Sequence, residues 1–201
     1  MEFIEEINDY DFLFKFMILG SSNTGKTYLA NRIHFYKDYS NFIDCQKDIQ
    51  PTFGVEVKSF PIKYKNSSIK IQYWDSSGDD RFENYINAYM RGSNVFILCY
   101  DAYIRDSFNY IKNKYSEIKN QNKNSIYVLI RNKYDIKANK DNNNIVSDEE
   151  ALEFADANNI IFRHISSIEK YENGIIKLFE LILDKVLDKE KEKPSIIYWI
   201  D

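Results

Sequence analysis

The first long apolar run, residues 12–19, is broken only by Lys15 and gives way at once to a glycine-bearing loop and a helix-compatible stretch at 26–34. That order predicts strand, loop, helix. Residues 55–63 and 69–74 alternate in polarity and are separated by the turn-forming KNSS at 65–68, so they predict a β-hairpin. Residues 95–100 and 126–130 are short and almost wholly apolar, as expected for strands covered on both faces of a parallel sheet. Between them, Phe108, Ile111, Tyr115 and Ile118 recur at helical spacing within 107–119. Ser147 followed by Glu150 forms a capping-box pattern ahead of a helix carrying Ala151, Leu152, Phe154 and Ala155. A strand at 160–165 and a helix over 174–187, with Ile175, Leu178, Phe179, Ile182 and Val186 on one stripe, complete the pattern.

Strands alternating with helices after a single hairpin predict an α/β fold, a three-layer sandwich around a mostly parallel six-stranded sheet with one antiparallel hairpin. Ligands of such sheets bind at the carboxyl ends of the strands. A chain of 201 residues buries one sizeable core and is too short for two ordinary domains. The net charge of −4 offers no basic face, so nucleic acid is not an expected partner. Cys45 lies in a polar stretch and Cys99 inside an apolar run too short to span a bilayer. The first residues lack a secretory pattern, so a reducing, intracellular and cytoplasmic setting is expected. His34 and His164 stand apart from any cluster at zinc-ligand spacing.

The chemistry concentrates at three places. Residues 20–27, GSSNTGKT, match G-x-x-x-x-G-K-[ST] between a predicted strand and a predicted helix, which makes the fold that of a P-loop NTPase. Gly20 and Gly25 let the backbone curl so that successive N–H groups face a β-phosphate, while the helix N-terminus adds positive charge. The expected contacts run through Ser22, Asn23, Thr24, Gly25, Lys26, Thr27 and Tyr28, with Lys26 across the β- and γ-phosphates and the Thr27 hydroxyl on Mg²⁺. Asn132-Lys133-Tyr134-Asp135 then selects the base. The Asp135 carboxylate can accept the ring N–H and exocyclic amine of guanine together, a donor pair that adenine lacks. An adenine-specific P-loop kinase is therefore disfavoured. Trp74-Asp75-Ser76-Ser77-Gly78 places Asp75 as a Mg²⁺ carboxylate and the Gly78 N–H toward the γ-phosphate. Thr52 is a candidate second hydroxyl ligand for Mg²⁺, and Ser166, with Ser167 beside it, is a candidate backbone contact to the guanine carbonyl.

With these motifs in order, the chain resembles a small GTPase of the Ras superfamily, most closely the Rab family. YDFLFKFMILG, FGVEVKSF, KIQYWDSSGDDRF, AYMRGS, LCYDAY and RNKYDI carry the resemblance. They place a small G-protein domain at 10–188, an N-terminal extension at 1–9 and a C-terminal tail at 189–201. The resemblance implies binding of GTP and GDP with Mg²⁺, and GTP hydrolysis involving Lys26, Thr52, Gly78 and the residue at 79. It implies a switch whose loops around Thr52 and 75–84 are ordered by GTP, acting in vesicle-mediated transport. Exchange factors, GTPase-activating proteins and effectors are the implied partners.

Four departures from the family matter. Asp79 stands where Rab proteins carry the glutamine that orients the attacking water, so slow hydrolysis is expected. The stretch 36–50 is longer than a Rab switch loop, which leaves Phe35, Tyr36 and Tyr39 as alternatives for covering the guanine edge. The aromatic effector triad of Rab proteins corresponds to Val57, Trp74 and Tyr89, with Val57 replacing a phenylalanine. No cysteine follows Cys99, so no direct lipid anchor is expected and attachment to endomembranes would run through partners. Asp79 and the missing prenylation cysteine favour an alternative, a GTP-holding scaffold that does not hydrolyse. The intact Lys26, Thr27, Thr52 and Asp75 favour a working GTPase.

Overall fold

The strand-forming stretches assemble around β2, whose alternate side chains feed two cores. In the computed structural model, which describes residues 2–3, 9–35, 43, 49–133, 145–165 and 173–192, the chain begins with β1 (Glu2–Phe3), β2 (Phe12–Leu19) and α1 (Lys26–His34). A hairpin of β3 (Val55–Tyr64) and β4 (Ser67–Ser76) follows, then a 3₁₀ turn (Asp80–Phe82) and α2 (Glu83–Tyr89). The remainder alternates: β5 (Val95–Asp101), α3 (Arg105–Ile118), β6 (Ile126–Asn132), α4 (Asp148–Ala157), β7 (Ile161–His164) and α5 (Asn173–Lys191).

The sheet order is β1-β3-β4-β2-β5-β6-β7. The β3–β4 pair is antiparallel, and β4, β2, β5, β6 and β7 run parallel to one another. The six expected strands are therefore present, and a two-residue β1 is added antiparallel at the edge, Glu2 opposite Lys63 and Phe3 opposite Ile62. It falls in the stretch read from sequence as an extension, where two residues are too few to show an alternation. Tyr64 pairs with Ser67. The hairpin therefore closes through Lys65 and Asn66 alone, both at positive φ (46° and 65°), the backbone sense that matches strand twist.

Phe14, Phe16 and Ile18 of β2 point to one core with Leu29 and Ile33 of α1 and Leu178, Phe179 and Ile182 of α5. Met17 and Leu19 point to the other, with Phe108 and Ile111 of α3 and Ala151 of α4. Helices thus cover both faces, and all of β5 is buried. Each such aliphatic or aromatic side chain contributes roughly 1.5–3 kcal/mol. Ser147 caps α4 as expected, its Oγ accepting the Glu150 N–H at 3.1 Å. The 3₁₀ turn and α2 were not foreseen, for α2 buries only Ile86 and so shows no apolar stripe.

Beside Ile86, a polar contact holds α2. The Lys114 side chain of α3 is 2% exposed, and its Nζ lies 2.5 Å from Glu83 Oε1 of α2 and 2.9 Å from Glu117 Oε2, both half-exposed. Burial alone would lower the Lys114 pKa, but the two carboxylates outweigh it and hold the ammonium above its ordinary value. The asymmetry in exposure decides the outcome of mutation. Lys114→Met strands no buried charge and should change stability by less than about 1 kcal/mol, whereas Glu83→Ala with Glu117→Ala strands an ammonium and should cost about 3 kcal/mol. Urea denaturation of the two variants checks this.

Candidate nucleotide-binding site

Four carboxyl-terminal strand ends converge on one rim: Leu19 of β2, Ser76 of β4, Asp101 of β5 and Asn132 of β6. The loops leaving them enclose a cleft of about 760 Å³, walled by Ser22, Asn23, Gly25–Tyr28, Pro51–Phe53, Ser76–Asp79, Arg81, Phe82, Asn132 and Lys133. A volume of this order suits a nucleotide-sized ligand.

The 20–27 loop curls because Asn23 and Gly25 take left-handed backbone angles, φ 63° and 84°. At Gly25 a Cβ would also sit 2.2 Å from Asn132 Nδ2, so glycine is required there twice over. Asn132 Nδ2 in turn donates to the Thr24 carbonyl at 2.9 Å and the Gly25 carbonyl at 3.3 Å. The asparagine of the base-selecting motif thereby braces the phosphate loop from the end of β6. Gly78 brings a second backbone against the loop, where a Cβ would meet Ser22 N at 2.3 Å. Thr24 is fully buried, its hydroxyl donating to the Ser21 carbonyl at 3.0 Å, so its side chain shapes the loop and does not line the cleft. Beneath it, the buried Cys99 thiol donates to the Thr24 carbonyl at 3.4 Å, and burial pushes its pKa up to about 12.

Lys26 Nζ donates to the Gly20 and Ser21 carbonyls at 2.8 and 2.9 Å. Burial lowers its pKa, and the neighbouring Cys99 and Asp75 oppose that shift. Close by, three oxygen-bearing side chains from three elements meet. Thr27 Oγ1 donates to Asp75 Oδ2 at 2.6 Å, Thr52 Oγ1 does so at 3.2 Å, and the two hydroxyls are 3.0 Å apart. Asp75 Oδ1 is buried without a hydrogen-bond partner among the described residues. Burial raises the Asp75 pKa, against the Thr27 bond, Lys26 and the Thr52 bond. Two hydroxyls, a carboxylate and one unsatisfied buried oxygen fit Mg²⁺, a hard cation that takes oxygen ligands and keeps waters. Thr27, Thr52 and Asp75 would hold it.

Asp79 lines the cleft, but its carboxylate turns onto its own turn. Oδ1 accepts the Arg81 N–H at 2.9 Å and Oδ2 accepts Arg81 Nη2 at 2.6 Å, with Nε 3.0 Å from each oxygen. The Arg81 side chain, then its backbone N–H, hold this carboxyl below the usual carboxylate range. Arg81 was not singled out from sequence, nor was Phe53, which is 85% exposed and packs edge-on against Phe82 at 4.5 Å across the cleft mouth. Isolated charges and aromatics in loops carry no periodic signal. Tyr28 stands in the wall. Phe35 does not; it caps α1 and packs edge-on against His34 at 4.7 Å. Tyr36, Tyr39, Cys45, Tyr134, Asp135, Ser166 and Ser167 lie outside the described residues.

Away from the cleft, Val57 and Trp74 are cross-strand partners, and the Trp74 and Tyr89 rings are 5.5 Å apart. Lys15 Nζ lies 4.0 Å over the Trp74 ring and donates to the Tyr89 carbonyl. The three triad positions thus form one continuous surface.

The family model described as Ras family matches residues 15–188. The chain is 32% identical over 198 residues to the Ras-related protein Rab-4A of Danio rerio, covering 94% of this chain and 87% of that one. It is 31% identical over 191 residues to the Ras-related protein Rab-1 of Theileria parva, covering 94% and 81%. It is 34% identical over 164 residues to the GTP-binding protein YPT1 of Saccharomyces cerevisiae, covering 81% and 74%.

The buried Asp75 yields a test in the protein without ligand. Its pKa is raised on folding, so ionising it costs stability as pH climbs past the ordinary carboxylate value. At pH 7 Asp75→Asn should therefore stabilise the ligand-free protein by about 1 kcal/mol, or roughly 2–4 °C in melting temperature. Thermal denaturation with GDP should show the opposite dependence on metal: Mg²⁺ raises the melting temperature of the unaltered protein and leaves the variant unchanged.

Proposed function

The chain belongs to the Ras family, as a Rab-like small GTPase, and from that premise we propose that it is a slow GTP-hydrolysing switch with Mg²⁺ at its phosphate loop. The observation that carries the reading is the meeting of Thr27, Thr52 and Asp75 around one unsatisfied carboxylate oxygen, beside the Lys26 ammonium.

In this reading the backbone of Ser22–Thr27 and Lys26 bind the β- and γ-phosphates, and Asp135 with Lys133 selects guanine. Ser166 and Ser167 contact the guanine carbonyl. Mg²⁺, which Thr27, Thr52 and Asp75 would hold, would supply positive charge to offset the negative charge that develops on the phosphates. Thr52 reaches the same centre from a loop, so its position depends on whether a γ-phosphate is present, and the Gly78 N–H reads that phosphate from the other side. Hydrolysis requires a water in line with the γ-phosphorus, its oxygen bonding as the β–γ bridging oxygen leaves with GDP. Asp79 is poorly suited to orient that water. Its oxygens accept hydrogen bonds from Arg81, it offers no amide donor, and its negative charge is repelled by the γ-phosphate.

The relatives named for GTP binding and Rab function support a role in membrane traffic, with exchange factors, activating proteins and effectors as partners. The Val57, Trp74 and Tyr89 surface is the proposed effector contact, and association with endomembranes would run through such partners. Among the described residues no helix is long and apolar enough to cross a membrane. The engaged Asp79 also supports a second reading, a GTP-stabilised scaffold.

Single-turnover hydrolysis of preloaded GTP with Mg²⁺, beside Asp79→Gln, separates the two. The switch reading predicts measurable cleavage by the unaltered protein and a variant at least about tenfold faster. Failure of both to cleave leaves the scaffold. Equal, appreciable rates would contradict the role given to Asp79.

A further inference from the structure

Asp101 ends β5 beside Asn132, its register partner at the end of β6. Its side chain is 5% exposed, yet the chemistry above gives this buried carboxylate no part. Both oxygens are committed. Oδ2 lies 2.9 Å from Lys133 Nζ, and Oδ1 accepts the Tyr103 N–H at 3.0 Å. The backbone of Asp101 is pinned as well: its N–H donates to Ser107 Oγ at 3.0 Å, and that hydroxyl donates to the Asp101 and Ile104 carbonyls at 3.0 and 2.7 Å. The carboxylate is thus fixed from the strand, from the turn after it and from the first turn of α3.

Lys133 is the opposite kind of group. Its ammonium rides on a flexible four-carbon stem, and its backbone sits at φ 59°, a left-handed conformation that a lysine adopts only when its surroundings impose it. It stands between Asn132, which braces the phosphate loop, and the guanine-selecting Asp135, and it lines the cleft. A partly exposed cation held by a fixed, buried anion has one preferred rotamer, and the backbone carrying it has one preferred angle.

We propose that Asp101 is a positioning residue for the guanine-binding loop: it holds Lys133 in place across the β5–β6 strand ends and thereby sets how long a guanine nucleotide stays bound. The proposal rests on the reading that Asn132–Asp135 binds guanine. Asp101 touches no ligand and acts through Lys133.

The test is a double-mutant cycle on release of a fluorescent GDP analogue in Mg²⁺, read with the denaturation midpoint of each protein. Asp101→Asn preserves shape and the acceptor for the Tyr103 N–H but removes the charge facing Lys133. It should speed release about tenfold, the size expected for one charge-assisted hydrogen bond. Lys133→Met should do at least as much, and the double variant should release no faster than Lys133→Met alone. Asp101→Glu, which keeps the charge on a longer stem, should recover part of the lost residence time and serves if the amide variant does not fold. Multiplicative effects of the two substitutions, or release unchanged by Asp101→Asn, would overturn the proposal while leaving guanine binding intact. Failure of the unaltered protein to bind the GDP analogue would overturn the guanine reading, and this inference with it.

Discussion

The Asp75 carboxylate is the constraint around which the rest is arranged. A charge at the end of an interior strand is expensive to bury, and here two threonine hydroxyls share one oxygen while the other is left without a partner among the described residues. Such a group survives in a native fold when something outside the chain completes it. The sheet order explains how the set is assembled. With β2 flanked by β4 on one side and β5 on the other, the loop after β2 and the end of β4 open side by side. α1 begins inside that loop and carries Lys26 and Thr27 to the same point. Thr52 then arrives from the segment preceding β3.

Binding and turnover make different demands on this frame, and the chain meets them unequally. The binding parts are braced repeatedly: Asn132 on the Thr24 and Gly25 carbonyls, Gly78 against Ser22, Cys99 beneath Thr24. The part that would orient water is the reverse, a partly buried aspartate engaged with Arg81 on a short 3₁₀ turn. On the proposed function, such a frame would retain nucleotide through many contacts and cleave it through few. The buried Lys114 adds a polar anchor for α2, which follows directly on that turn.

Much of this was legible in the residues because the responsible signals are local or periodic. The span of β2 and α1, the hairpin and the apolar strands β5 and β6 follow from alternation and from continuous apolar runs. The phosphate loop is legible because its glycines and lysine have fixed spacing, and Asp75 because it closes a strand. α2 was not, since a helix anchored by one isoleucine and an ion pair has no stripe. Nor was the part played by Asn132 as a brace, or of Arg81 on Asp79, because both depend on which loops the topology brings together. Asp101 carries a readable signal, an acidic residue closing an apolar strand, but no adjacent glycine motif distinguishes it from an ordinary strand end.

The claim that unites these observations is that the cleft is a guanine site completed by Mg²⁺. Isothermal titration of the protein with GDP and with ADP, each with Mg²⁺ and with a chelator, tests it most directly. The account predicts that GDP binds far more tightly than ADP, by about 10⁴-fold or more because a guanine-specific carboxylate would be left unpaired by adenine, and that the chelator weakens GDP binding. Comparable affinities for GDP and ADP, or GDP binding indifferent to Mg²⁺, would contradict it.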